Sequence, residues 1–185
     1  MKKTDFTVAV KIDSAIFKHF ALFDTFVRQR RWKSPAIFAG IMLLFSLIAF
    51  SQSGRVEQAA LLGGVLLGVG VLLPAVYFVS FERSVRAQIK KLGLTKPRQV
   101  YTLRLNQNDG VTVTADKEQA AYRWDALFAV YRTDRGIYLY AAPTRAYLMP
   151  NEQIETGADA LWTLLSAVMP TAQLHDCRHR RSNAV

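Results

Sequence analysis

PAIFAGIMLLFSLIAF (residues 35–50), SQSGRVEQ (51–58) and AALLGGVLLGVGVLLPAVYFVSF (59–81) follow one another without interruption, and their reading decides the fold. The last block carries no charged residue. As a helix its roughly 23 residues rise about 34 Å, enough to cross a hydrocarbon core about 30 Å thick. The first block has about 16 residues, near the lower limit for a span. The linker between the blocks is short, so the two are coupled. Arg28, Arg30, Arg31 and Lys33 precede the first block, and Arg83, Arg86, Lys90 and Lys91 follow the second. Cations flanking spans favour the cytoplasmic side, which places both termini there and only the linker outside. The expectation is a transmembrane helical hairpin over residues 35–81, with Trp32 and Tyr77 near the interfaces. The alternative is a helical pair buried in a soluble core. That pair would need a polar face, and neither block has one.

The chain has 185 residues and a formal net charge of +10. Much of the excess lies beside the apolar blocks and in the tail, where topology and anionic headgroups explain it better than nucleic acid does. Cys177 is the sole cysteine, so no intrachain disulfide can form, in keeping with a reducing compartment.

Outward from the hairpin, TDFTVAVKI (residues 4–12) alternates with period two and reads as a half-buried strand. Its buried face needs a partner. The β-rich region beyond the hairpin, residues 99–149, is the expected one. Asp13 is placed to cap a helix carrying Ile16, Phe20, Phe23 and Val27 on one side. This amphipathic helix either lies in the headgroup layer or faces the core of the soluble domain. Residues 1–34 thus form an N-terminal strand and helix.

Within the second block, Gly64 and Gly68 form a GxxxG that lets helices approach closely. The expected partner is the first block, through Ala39, Gly40 or Ser46; a contact between two copies of the chain is the alternative. Pro74 is placed to kink the helix. The helix continues as a basic juxtamembrane segment (82–98), with Gly93 as its C-cap and Pro97 barring resumption.

Strands are expected at Val100–Leu105, Val111–Ala115, Gln119–Trp124, Ile137–Ala141 and Arg145–Met149, with turns at Asp109-Gly110, 133–136 and 143–144. Residues 125–132 read equally as strand or short helix. Thr156 and Asp159 stand at capping-box spacing before an amphipathic helix that ends at Pro170. Residues 99–170 therefore read as a small antiparallel sheet covered by one helix, and residues 171–185 as a disordered basic tail. The class is an α+β membrane protein.

Tyr122-Arg123-Trp124 with Leu127 and Val130, then IYLYA, then YLMP ending at Pro150, is similar to a pattern of the YcxB-like family of bacterial membrane proteins. That family often has a basic residue after the proline; here it is Asn151. The resemblance implies a pleckstrin-homology-like cytoplasmic domain and the bacterial cytoplasmic membrane. It implies no catalytic residues.

No triad, metal set or carboxylate pair is evident. His175, Cys177 and His179 alternate in the tail, but a structural zinc site needs a fourth ligand. Trp124, Tyr138, Tyr140 and Tyr147 read as core and cross-strand packing. The chain is expected to be neither an enzyme nor a cofactor or metal binder, nor a nucleic-acid binder. It is expected to be a membrane-anchored binding or regulatory module engaging a protein partner, anionic lipid or both. The eight cations named above form its lipid-facing side, and Gly64 and Gly68 its helix-packing residues. The alternative is a small oligomeric transport or channel subunit.

Overall fold

The alternation of TDFTVAVKI becomes strand β1 (Asp5–Ile12), whose Phe6, Val8, Val10 and Ile12 are buried while the residues between them are exposed. The computed structural model describes residues 5–51, 56–116 and 118–178. The elements after β1 are α1 (Ser14–Leu22), α2 (Lys33–Ser51), α3 (Val56–Lys91), β2 (Arg98–Asn106), β3 (Gly110–Ala115), β4 (Gln119–Tyr122), β5 (Ala129–Arg132), β6 (Gly136–Ala142), β7 (Arg145–Pro150), α4 (Ala158–Val168) and β8 (Leu174–Asp176). The chain divides into two compact units, residues 14–96 and residues 1–13 with 97–185. The N-terminal 34 residues are therefore not a unit of their own. β1 joins the strands, and α1 joins the helices.

In the helical unit, α2 and α3 are long, apolar and packed on each other. Only 6% of the apolar stretch of α2 and 11% of that of α3 is buried. A helical pair filling a soluble core would show the reverse. α3 is a single helix of 36 residues, about 54 Å long, that runs unbroken through Pro74. It ends as expected at Gly93, in the left-handed region (φ +66°). The Leu94 amide donates to the Ile89 carbonyl and the Gly93 amide to that of Lys90, the paired closure of a Schellman motif.

The β-rich unit holds two four-stranded sheets rather than the single one expected, in the orders β1-β2-β3-β4 and β7-β6-β5-β8. β1 pairs antiparallel with β2, from Asp5 opposite Asn106 to Ile12 opposite Arg98, despite the hairpin between them in sequence. Val8, Val10, Leu103, Leu105 and Val111 are buried in the first sheet, and Ile137, Leu139 and Met149 in the second. β4 stops at Tyr122, short of the expected Trp124, which begins a 3-10 turn (124–126) before β5. The stretch open to two readings thus contains both a helical turn and a strand. Gly110 (φ +101°) closes the β2–β3 turn, where a Cβ would collide with the Tyr122 carbonyl.

Tyr101 joins the two sheets. Its hydroxyl accepts from the Leu148 amide (2.7 Å) and donates to the Leu148 carbonyl (3.2 Å). Tyr147 packs edge-on against it, with centroids 5.5 Å apart, and meets the Tyr122 hydroxyl at 3.0 Å. Burial pushes the Tyr101 hydroxyl well above the ordinary 10.0, and burial with the Tyr122 contact pushes that of Tyr147 up to about 12. The unfolded chain would release these protons near pH 10, whereas the folded chain retains them. Stability is therefore fully present below about pH 10 and declines as pH rises beyond it. Tyr101→Phe should lower stability at neutral pH by about 1–3 kcal/mol, because the Leu148 amide and carbonyl lose their partner, and should shrink the alkaline loss. Unfolding midpoints of both proteins at neutral and alkaline pH check this. An alkaline loss unchanged by the substitution would refute the assignment to Tyr101.

Three terminal features differ from expectation. Gly157 (φ +86°) is the N-cap of α4, without a side-chain cap bond, so no Thr156–Asp159 capping box forms. Asp159 instead pairs with the buried Arg132 of β5, and the guanidinium bond holds its carboxyl below the usual range. Arg132 also lies 5.6 Å from the Trp162 ring centre, and its carbonyl accepts from the Cys177 amide (2.8 Å). Residues 171–178 are consequently ordered. A 3-10 turn leads into β8, which runs parallel to β5 with His175 stacked on Tyr131 at 4.6 Å. The buried guanidinium thus ties α4 to the second sheet, while backbone bonds to β5 hold the C-terminal strand. His179 and the rest of the tail lie outside the described residues.

Candidate functional site

The cations expected to face lipid gather at the ends of α2 and α3, where the apolar runs give way to charge. They do not all have the same environment. Arg28 turns inward, with its side chain 13% exposed, and its Nε lies 2.6 Å from Asp24 Oδ1. It serves the fold more than the surface. Arg86 pairs with Glu82 at 2.8 Å while remaining 75% exposed. Glu82 also takes Lys18 of α1 at 2.7 Å, and these two cations, Lys18 foremost, hold its carboxyl below the usual range. Arg30, Arg31, Lys33, Arg83, Lys90 and Lys91 are exposed.

The backbone builds the cluster around Arg30. After α1, residues Phe23–Arg28 form a π-helical turn. The Arg31 amide reaches back to the Thr25 carbonyl (3.0 Å), and Arg30 stands in the left-handed region at φ 51°. For a non-glycine residue this costs on the order of 1 kcal/mol and is sustained only where the surroundings fix it. The turn redirects the chain from α1 into α2. The side of α1 and its π-helical extension packs on α3, with the Phe26 ring 5.0 Å from that of Phe81 in T-shaped contact. This settles the partner of the N-terminal helix as α3 of the helical unit.

The helix-packing glycines are reassigned. Nothing lies within 4 Å of a Cβ built on Gly64 or Gly68, nor on Gly40. The small residues facing α2 are Gly63 and Gly70, where a Cβ would stand 2.7 Å from the Phe50 ring and 2.9 Å from Met42 Cβ. Ser46 is buried between the helices and donates to the Gly63 carbonyl at 2.8 Å. The seven-residue separation of Gly63 and Gly70 keeps both on one side of α3, whereas Gly64 lies one residue, about 100°, away from Gly63.

In the β-rich unit the aromatic residues are structural. Trp124, Tyr138, Tyr140 and Tyr147 are buried. The Trp124 indole donates to the Asn106 and Gln107 carbonyls, at 3.1 and 3.2 Å. The outer edge of β1 is plugged at one point. The Gln153 side chain accepts from the Lys11 amide (2.7 Å) and donates to the Lys11 carbonyl (2.8 Å), which blunts pairing with another strand there. Among the described residues no group of three or more His, Cys, Asp or Glu is placed to hold a metal.

No curated protein and no solved structure matches the chain. The YcxB-like protein family model matches residues 107–161, from the β2–β3 turn into α4, less than a third of the 185-residue chain. This stretch contains Trp124, the tyrosine-rich β6 and the apolar β7, and it is the part of the β-rich unit that is similar to the YcxB-like family.

Proposed function

We propose that the protein is a membrane-anchored binding module, with α2 and α3 crossing the cytoplasmic membrane as a hairpin, both termini inside, and a pleckstrin-homology-like β unit engaging the anionic inner surface or a protein at it. The observation that carries this reading is the exposed apolar surface of α2 and α3, including Ile41, Phe45, Leu72 and Val76, in a hairpin whose two ends carry the cations. In water an apolar surface of that extent would drive aggregation, and in lipid it needs no cover. A four-stranded antiparallel sheet, a second sheet whose β5, β6 and β7 are antiparallel, and the helix that follows β7 favour the pleckstrin-homology-like reading. Near an anionic leaflet each exposed cation contributes up to about 1 kcal/mol, screened by salt.

Amide exchange of the full chain in nanodiscs, with and without anionic lipid, tests the proposal. Residues of α2 and α3 should be protected in both lipids. Protection in residues 98–150 should rise with anionic lipid and fall with salt. Fast exchange in α2 and α3 would refute the anchor. Equal exchange of the β unit in both lipids would refute lipid engagement and leave protein binding.

A further inference from the structure

Two cavities meet at the N-terminal turn of α2. One, of about 620 Å³, lies between that turn and the middle of α3 and combines Arg30, Arg31 and Lys33 with Phe38, Leu73 and Pro74. The other, of about 440 Å³, lies between the π-helical turn and α3 and presents the Thr25, Ser80 and Ser84 hydroxyls beside Phe17, Phe20 and Phe81. Arg31 and Tyr77 line both. A groove that is cationic and apolar thus adjoins, at Arg31 and Tyr77, a cavity that carries hydroxyls. Asp24 lines the second cavity too, but its carboxylate is engaged by Arg28.

From this juxtaposition we infer that the two cavities form one binding site for a single phospholipid with an anionic phosphate and an uncharged, hydroxylated headgroup, of the phosphatidylglycerol class. The phosphate is held by Arg30, Arg31 and Lys33. One acyl chain lies along Phe38, Leu73 and Pro74. The headgroup hydroxyls enter the second cavity, where the Thr25, Ser80 and Ser84 hydroxyls both donate and accept. Charge complementarity selects the occupant. A neutral fatty chain would leave the three cations without a counter-ion, and a free phosphate would leave the apolar wall uncovered. A zwitterionic lipid would bring a second cation toward Arg31. The π-helical turn and left-handed Arg30 set the basic lip above the groove, and such local irregularity is common where chains build ligand sites.

The inference rests on the membrane-anchored reading and is tested apart from it. The full chain in mild detergent is mixed with phosphatidylglycerol or phosphatidylcholine, and lipid retained is counted by native mass spectrometry at raised salt. One phosphatidylglycerol per chain is expected to be retained, with phosphatidylcholine washed off. Arg31→Gln and Leu73→Trp, which remove the shared cation and fill the groove, should each weaken retention about tenfold or more. Lys96→Gln removes one exposed cation that lines neither cavity and belongs to none of the lipid-facing positions, and should leave the bound lipid in place. Equal retention of the two lipids, or equal loss from Arg31→Gln and Lys96→Gln, would overturn the site. The nanodisc exchange result would stand independently, because it reports diffuse attraction and embedding rather than one bound lipid.

Discussion

Val10→Asp is expected to unfold the β-rich unit. Val10 is fully buried opposite Tyr101, the residue that joins the two sheets. Nothing at that position supplies a partner for a carboxylate, so the group must either ionise without water or carry a proton at neutral pH. Both routes are costly, and the loss of the valine side chain adds to them. The sum is about 3–5 kcal/mol, a large part of the roughly 5–15 kcal/mol that stabilises a domain. Ala9→Asp is the control. Ala9 is on the same strand but its side chain is exposed, so only strand preference is lost, about 1 kcal/mol or less. Thermal unfolding and limited proteolysis of residues 98–178 in the full chain read both variants. If Val10→Asp melts with the wild type, β1 is not part of the core.

Gly70→Leu is expected to force α2 and α3 apart, whereas Gly64→Leu and Gly68→Leu leave the hairpin intact. The nearest atom to a Cβ on Gly70 is Met42 Cβ, with the Ala39 carbonyl oxygen next at 3.7 Å. A Cβ is fixed to its backbone, so the overlap is relieved only by moving a helix. Gly63 is the milder case, because its nearest neighbours are the outer atoms of the Phe50 ring, which can swing. Overpacking of this kind costs about 1–3 kcal/mol, and the branched side chain places Gly70 at the upper end. Melting of the full chain in detergent should rank the variants Gly70, then Gly63, then Gly64 and Gly68 near wild type. A Gly64→Leu loss as large as that of Gly70→Leu would show that the helices pack through another face. Loss of chain-to-chain cross-linking on Gly64→Leu, with the melt unchanged, would assign the outward glycines to a contact between copies.

Several elements were legible because their cause is local. The alternation at Phe6, Val8, Val10 and Ile12 demanded a buried face, and the sheet supplies it. Charge-free runs located α2 and α3, and α3 continues past its run to Lys91 as the basic segment expected. Gly93 followed by Pro97 marked the end of α3, where a left-handed residue is needed and a helix cannot resume. The aromatic residues Trp124, Tyr138, Tyr140 and Tyr147 were read as packing, and they are buried.

The misreadings share a different cause. GxxxG spacing identifies residues that permit close approach, but Gly63, Gly64, Gly68 and Gly70 all qualify as small. Which pair meets α2 depends on how α3 is rotated, and Met42, Ser46 and Phe50 fix that rotation. Capping-box spacing at Thr156 and Asp159 was sound chemistry, yet Arg132 competes for the same carboxylate and offers it a charged bond. Arg132 gave no signal in the chain, since a strand arginine is ordinarily exposed; its burial arises from Trp162 and Asp159, which are distant in sequence. The order in residues 171–178 follows from backbone pairing of β8 with β5, which also joins residues distant in sequence.

The sequence by itself determined where this chain is apolar, where it alternates and where it carries charge, and hence its two long helices, its strands and its cationic ends. These are properties of neighbouring residues and of the fixed periods of helix and strand. Tertiary structure alone decided that β1 pairs with β2 across the hairpin, that Gly63 and Gly70 carry the helix contact, and that Arg132 holds the C-terminal strand. It also brought Arg31 and Tyr77 to the boundary shared by two cavities. Each of these depends on a contact between residues far apart in the chain, whose energy exists only once the elements have met.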